Sequence, residues 1–119
     1  MGNPVLVLSY AACGTCKKAL RWLEARGIPA TVRPIVTEPP TAAELAAWIP
    51  ISGKPVRKWL NTSGQSYRAL GKASVDARSD AELVTMLARD GKLVKRPVVV
   101  GGDAVLVGFD EAAYEATFG

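Results

Sequence analysis

The hydrophobic pattern over residues 1–36 predicts a strand, a helix and a second strand. Residues 4–10, PVLVLSY, form a short apolar, β-branched run that is typical of a buried strand. Apolar or small residues then recur at helical spacing, and the last is a glycine suited to ending a helix: Cys16, Leu20, Leu23 and Gly27. Residues 30–36 predict the second strand, and Pro34 favours an edge position or an early end for it. Strands joined through a helix usually pair in parallel.

The middle of the chain has the pattern of helices. Two capping boxes, each of which opens a helix, are formed by Thr41 with Glu44 and by Ser79 with Glu82. We expect the first of these helices to end at Pro50 and the second to end at Gly91. Between these two helices, residues 55–60 are predicted to form one short helix.

The end of the chain has a hairpin pattern followed by a helix. RPVVV and AVLV predict two strands, and GGD between them predicts a tight turn. DEAAYEATF predicts a last helix, with acidic residues in its first turn where the helix dipole favours them. The order βαβ, helices, ββα predicts an α/β fold with a four-stranded mixed sheet. We expect one domain over residues 1–119, with a helical insertion at about residues 40–92.

Composition narrows the class of protein. The chain has 119 residues, of which 49% are apolar, and this is enough to bury one core. The formal net charge of +4 favours an anionic small substrate or an acidic partner surface. There is no dense stripe of Lys and Arg, so direct binding of nucleic acid is not expected. No signal peptide pattern and no apolar run of roughly 18 to 20 residues is present, so we expect a cytoplasmic protein without membrane contact.

The chain has two cysteines, Cys13 and Cys16. Their spacing has three candidate explanations: a metal site, a structural crosslink or a redox centre. Metal sites need three or four ligands, and the chain has neither a histidine nor a third cysteine, so no metal or cofactor is expected. A crosslink here closes a very small loop and gains little entropy, and structural disulfides are uncommon in the cytoplasm.

The redox interpretation explains more of the local pattern. Cys13 precedes the first turn of the predicted helix, where unpaired N–H groups and the helix dipole stabilise a thiolate, and Lys17 adds positive charge. Cys16 lies on the apolar side of the same helix and should be less exposed. This difference suits Cys13 as the attacking thiol and Cys16 as the resolving thiol. The alternative is a pair of inert, small hydrophobic residues near a helix start.

Three segments resemble the ArsC/Spx family, a branch of the thioredoxin fold: ACGTCKKALRWLEARGI, LNTSGQSYRALG and KRPVVVGGDAVLVGFDEAAYEATF. They follow the family's order and spacing and cover nearly the whole chain. The resemblance implies a thioredoxin-like fold. It also implies that Cys13 is the nucleophile that attacks arsenate and that Cys16 permits an internal disulfide. Arg96 would bind the oxyanion, and the peptide between Arg96 and Pro97 would be cis.

The remaining candidates for substrate binding come from the helix start and from the middle of the chain. The backbone N–H groups of Gly14, Thr15 and Cys16 would hold the oxyanion together with Arg96. Glutaredoxin-coupled arsenate reductases of the family carry further arginines at the position of Asn61 and near Gly108, and this chain has neither. Arg57, one helical turn before Asn61, is a candidate substitute, and Arg68 is a more distant one, although an ordinary surface arginine is the simpler interpretation of each.

Two functions of different class therefore follow from the sequence. The first is a thiol-dependent reductase of arsenate or a similar oxyanion, recycled by thioredoxin, with glutaredoxin or glutathione as the other reductants. The second is a redox-sensing regulator like Spx, which would bind the C-terminal domain of the RNA polymerase alpha subunit. A general oxidoreductase of protein or glutathione disulfides is a third possibility.

Overall fold

The computed structural model describes residues 4–119; residues 1–3 of the predicted domain lie outside the described residues. Four strands, six α-helices and one 3-10 helix, Val56–Trp59, make up the described chain. Their bounds, in chain order, are β1 Val5–Ser9, α1 Gly14–Ala25, β2 Ala30–Pro34, α2 Ala42–Ser52, α3 Gln65–Leu70, α4 Lys72–Asp76, α5 Asp80–Arg89, β3 Val98–Gly101, β4 Ala104–Val107 and α6 Glu111–Phe118. None of the helices in this part of the chain is long and apolar enough to cross a membrane.

The four strands form one mixed sheet in the order β2-β1-β3-β4. β1 pairs in parallel with β2, from Val5 opposite Ala30 to Ser9 opposite Pro34. β3 is antiparallel both to β1 and to β4, and the latter pair is the predicted hairpin. The α/β class, the mixed four-stranded sheet and the edge position of the strand that contains Pro34 are thus confirmed.

The described chain divides into two compact units. The first contains the sheet with α1 and α6, and the second is Ile35–Lys95, which contains α2 to α5. The extent of a single domain over residues 1–119 stays a prediction.

The core of the first unit forms between the sheet and its two helices. Tyr114 of α6 is buried at its centre, and its ring makes edge contacts with Trp22, Phe109 and Phe118. The Tyr114 hydroxyl donates a hydrogen bond of 2.8 Å to the carbonyl of Gly108, which satisfies the buried phenol. The other buried members of this core are Val5, Val7, Ala19, Leu23, Ile28 and Val99. This packing fixes α1 against β1 and so places the start of α1 at the end of that strand.

The second unit begins its main helices where the sequence predicts. Both capping boxes are formed, with Thr41 and Ser79 each accepting the backbone N–H three residues on. The prediction that α2 ends at Pro50 is wrong, because the helix continues through Pro50 to Ser52. Proline has a helical φ and lacks only one N–H donor, so in the last turn it removes a single helical hydrogen bond. The helix ends at Gly53, whose φ of +71° is left-handed.

Gly91 does not end α5 as predicted. That helix ends at Arg89, and its cap, Asp90, has an extended backbone with φ −140°. Gly91 is instead a point of close approach, because a Cβ there would lie 1.9 Å from the carbonyl oxygen of Ile35. The glycine is required by packing rather than by helix termination, and a local pattern cannot distinguish these two needs.

The sequence pattern missed two short helices, α3 and α4. They have six and five residues and are joined at Gly71, whose φ is +83°. α3 has no buried residue, and in α4 only Val75 is buried, so neither helix has an apolar periodicity to detect.

We expect Gly91→Ala to lower the free energy of unfolding by at least about 2 kcal/mol, because the new methyl group overlaps the Ile35 backbone. Gly14→Ala is the matched control, since a Cβ at Gly14 meets nothing within 4 Å. Urea unfolding of both variants measures the difference. Equal stability of the two variants would contradict the close approach at Gly91.

Candidate functional site

Cys13 lies at the junction between β1 and α1 and acts as the N-cap of the helix. Its backbone is extended, with φ −89° and ψ 117°, and its Sγ accepts the backbone N–H of Cys16 at 3.4 Å. Its own N–H donates to the carbonyl of Tyr10 at 3.0 Å, which closes the turn after the strand. The sulfur thus occupies the place that a capping oxygen usually takes, where the first N–H groups of a helix have no helical acceptor.

Cys16 lies one turn into α1 on its buried side. Its exposed fraction is 0%, whereas Cys13 is partly exposed, and both thiols are free. The sequence predicted this difference in exposure, and the structure has it. A reagent or substrate therefore reaches the sulfur of Cys13 before it reaches that of Cys16.

The two thiols also differ in acidity. Partial burial raises the pKa of Cys13, but the N–H and thiol of Cys16 and the guanidinium of Arg96 lower it, and the net pKa lies below its ordinary value. Burial raises the pKa of Cys16, and the neighbouring Cys13 raises it further, against the backbone of Tyr10 and the hydroxyl of Ser9. Cys13 is thus the more acidic thiol of the pair, and Cys16 is the less acidic one.

Arg96 is the cation beside Cys13 in the first unit. Its guanidinium carbon lies 4.5 Å from the centroid of the Tyr10 ring, in a cation–π contact. Its Nε and Nη1 are buried and have no hydrogen-bond partner within residues 4–119. The peptide bond to Pro97 is cis, as the resemblance implies, and Pro97 is buried directly before β3. An arginine with two unpartnered buried donors is suited to receive an anion, because such donors are costly unless they find an acceptor.

The other residues predicted on the first helical turn are exposed. Gly14 and Thr15 are the first two residues of α1, and Lys17 follows Cys16 on its outer surface. The N–H groups of the first turn point past the N-terminus of the helix, where an anion is stabilised. Their contact with a substrate stays a prediction.

Arg57 and Asn61 belong to the second unit, and their side chains have partners there. Arg57 Nη1 donates to the carbonyl of Val75 at 3.3 Å, and its Nη2 donates to the carbonyl of Arg78 at 2.6 Å. The Asn61 side-chain amide donates to the carbonyl of Lys92 at 3.4 Å. These bonds give both residues structural contacts inside the second unit. Their role in substrate binding stays a prediction.

Three neighbours of the cysteines were missed by the sequence reasoning. Tyr10 contacts Arg96, and Ser9 is the buried polar residue at the end of β1. Tyr114 lies near Cys16, and both burial and that thiol raise the pKa of the Tyr114 phenol. A serine and a tyrosine at the end of an apolar strand, directly before the cysteine motif, were the available signal. The sequence carries no comparable signal for Tyr114, because only the packing of α6 brings this residue to α1.

Comparison with known proteins identifies the family. The model of the ArsC family matches residues 8–117, so the chain belongs to the ArsC family. An ArsC family related protein from Bacteroides fragilis has the same fold, with a TM-score of 0.90 and 48% identity over 94% of this chain and 95% of that one. The predicted thioredoxin-like fold and the predicted family are both confirmed.

The relatives in this family carry different names. The uncharacterized protein YusI of Bacillus subtilis is 42% identical over 89% of this chain and 91% of its own length. The arsenate reductase of Rhizobium meliloti is 34% identical over 81% of this chain and 68% of its own length. The global transcriptional regulator Spx of Streptococcus pneumoniae is 26% identical over 84% of this chain and 74% of its own length. The family thus includes arsenate reductases and Spx regulators.

We expect Cys13 to be alkylated faster at neutral pH than a free model thiol, because its pKa is lowered. Its thiolate fraction falls only when the pH drops through this lowered pKa, so the rate should level off at a lower pH than for the model thiol. Iodoacetamide rates against pH, measured on Cys16→Ser, isolate Cys13. A profile that coincides with that of the model thiol would contradict the nucleophile assignment.

Proposed function

We propose that this protein is a thiol-dependent oxidoreductase that reduces arsenate or a similar oxyanion. The observation that carries the proposal is the Arg96 guanidinium, whose buried Nε and Nη1 lack partners within residues 4–119 while the same group lowers the pKa of Cys13. A cation with free donors beside an activated thiol can both bind an oxyanion and present it to the nucleophile.

In the first step, the Cys13 thiolate attacks arsenic and forms a sulfur–arsenic bond. An arsenate oxygen leaves as water after taking up protons. Arg96 and the N–H groups of Gly14 and Thr15 hold the remaining oxygens, and they stabilise the negative charge at the start of α1. The exposed Lys17 adds positive charge on the same turn.

In the second step, the Cys16 sulfur attacks the Cys13 sulfur. The disulfide forms, the sulfur–arsenic bond breaks, and its electron pair remains on arsenic, which passes from As(V) to As(III). In sum, two thiols and arsenic acid give one disulfide, arsenous acid and water. The three-residue spacing and the common helical turn support Cys16 as the resolving thiol, since its N–H already contacts the Cys13 sulfur.

The disulfide then requires an external dithiol. We propose thioredoxin, because an internal disulfide removes the need for a glutathione-bound intermediate; glutaredoxin with glutathione is the alternative reductant. The similarity to an arsenate reductase at 34% identity supports the choice of arsenate.

The oxyanion contacts proposed here depend more on Arg96 than those of relatives with additional arginines. Asn61 and Arg57 have structural hydrogen bonds within the second unit, so a contribution to substrate binding would add to those bonds or replace them.

A regulator like Spx is the second candidate, supported by the 26% identity to that protein. The same cysteine pair would then be a sensor, and the partner would be the C-terminal domain of the RNA polymerase alpha subunit. Purified chain that reduces no arsenate with either reductant system, yet binds that domain in a redox-dependent way, would favour the regulator over the enzyme.

We expect Cys13→Ser to abolish arsenate turnover, because a serine hydroxyl at this position does not replace the thiolate. Cys16→Ser should stop turnover supported by thioredoxin, while glutathione with glutaredoxin restores part of it by taking the place of the resolving thiol. The measurement is arsenate-dependent NADPH consumption with each reductant system. Undiminished thioredoxin-supported turnover in Cys16→Ser would exclude the internal disulfide.

We expect Arg96→Ala to lower kcat/KM for arsenate by about 10- to 100-fold, the range for a lost charge-assisted hydrogen bond. Arg96→Lys should recover only part of this, because an ammonium does not make the planar two-point contact. Arg21→Ala, which removes an exposed arginine of α1, is the matched control. An equal loss in the Arg21 and Arg96 variants would point to net charge rather than to a built anion site.

A further inference from the structure

We propose that Tyr10 is a positioning residue, whose ring holds the Arg96 guanidinium in place beside Cys13 so that the donor edge of that cation stays free for the oxyanion. This inference rests on the proposed function for its substrate, but the placement of Arg96 can be tested without arsenate. None of the three segments that carry the family resemblance includes Tyr10.

The contact between the two side chains is the first observation. The guanidinium carbon of Arg96 lies 4.5 Å from the Tyr10 ring centroid, within the range of a cation–π interaction. Such an interaction holds a cation through the electrons of the ring, and it uses no N–H donor of the guanidinium. Nε and Nη1 accordingly remain unpartnered among the described residues although they are buried. A carboxylate in place of the ring would also attract the cation, but it would occupy those donors.

The backbone of Tyr10 is the second observation. Its carbonyl accepts the N–H of Cys13 at 3.0 Å, and its backbone also lowers the pKa of the Cys16 thiol. One residue therefore contacts the nucleophile through its main chain and the anion-binding cation through its ring. Because β1 is a central strand of the sheet, Tyr10, which directly follows it, is a fixed reference for both groups.

The chemistry of the ring gives a direct test. Tyr10→Phe keeps the aromatic face and should retain kcat/KM for arsenate within about twofold. Tyr10→Leu keeps an apolar side chain but loses the π-electrons, and it should lower kcat/KM by about 5- to 30-fold, mainly through KM. The backbone hydrogen bond to Cys13 is present in both variants. Phe118→Leu, which removes an aromatic ring of the first unit that contacts Tyr114, is the matched control and should leave both constants unchanged.

A second readout needs no substrate. In the Cys16→Ser background, Tyr10→Leu should move the alkylation profile of Cys13 to higher pH, because the cation that stabilises the thiolate is no longer held. Tyr10→Phe should leave that profile in place. Thermal unfolding followed by circular dichroism shows whether each variant is folded before its profile is compared.

A double-mutant cycle separates positioning through Arg96 from a general effect on the fold. On the Arg96→Ala background, Tyr10→Leu should add no further shift in the Cys13 profile, since the group that it positions is absent. Additive shifts, or equal profiles for Tyr10→Phe and Tyr10→Leu on the wild-type background, would overturn the proposal. If wild-type protein reduces no arsenate but the profile still moves in Tyr10→Leu only, the proposed substrate fails and the positioning role stands.

Discussion

The N-cap of α1 is the interaction on which the rest of the site depends. At this point a sulfur takes the place of a capping oxygen, and the Cys16 N–H that it accepts would otherwise lack a helical partner. The same hydrogen bond stabilises the helix start and the thiolate form of Cys13, so helix formation and nucleophile activation have one physical cause. The Trp22 and Tyr114 packing holds α1 on the sheet, and it thereby keeps this helix start at the end of β1.

The chemistry of the site follows from the different surroundings of two cysteine side chains. Cys13 is partly exposed and accepts hydrogen bonds, which favour its charged form, whereas Cys16 is fully buried, which favours its neutral form. This difference in acidity and exposure sets the order of the two steps in the proposed reaction. The acidic thiol attacks first, and the buried thiol attacks when the Cys13 sulfur has become an electrophile bonded to arsenic.

The ArsC family contains both named enzymes and named regulators, and the site described here is compatible with either use of a thiol pair. Arg96 favours the enzyme, because a sensor requires no buried cation with two free donors. The arginines of the second unit do not add to this argument, since Arg57 already binds the carbonyls of Val75 and Arg78. The proposed anion site therefore rests on Arg96, whose Nε and Nη1 lack partners among the described residues.

The sequence by itself determined the elements whose cause is local. Apolar runs gave the strands, Thr41 and Ser79 began two helices through their own side chains, and Cys13 and Cys16 were placed on one helical turn by their spacing. Only the tertiary structure decided what depends on residues distant along the chain. It showed that Gly91 is needed against Ile35 rather than as a helix end, and it brought Arg96, from the segment before β3, to the ring of Tyr10. The physical reason is that periodicity and capping act within a few residues, whereas packing and the acidity of a thiol are set by whichever groups the fold brings near.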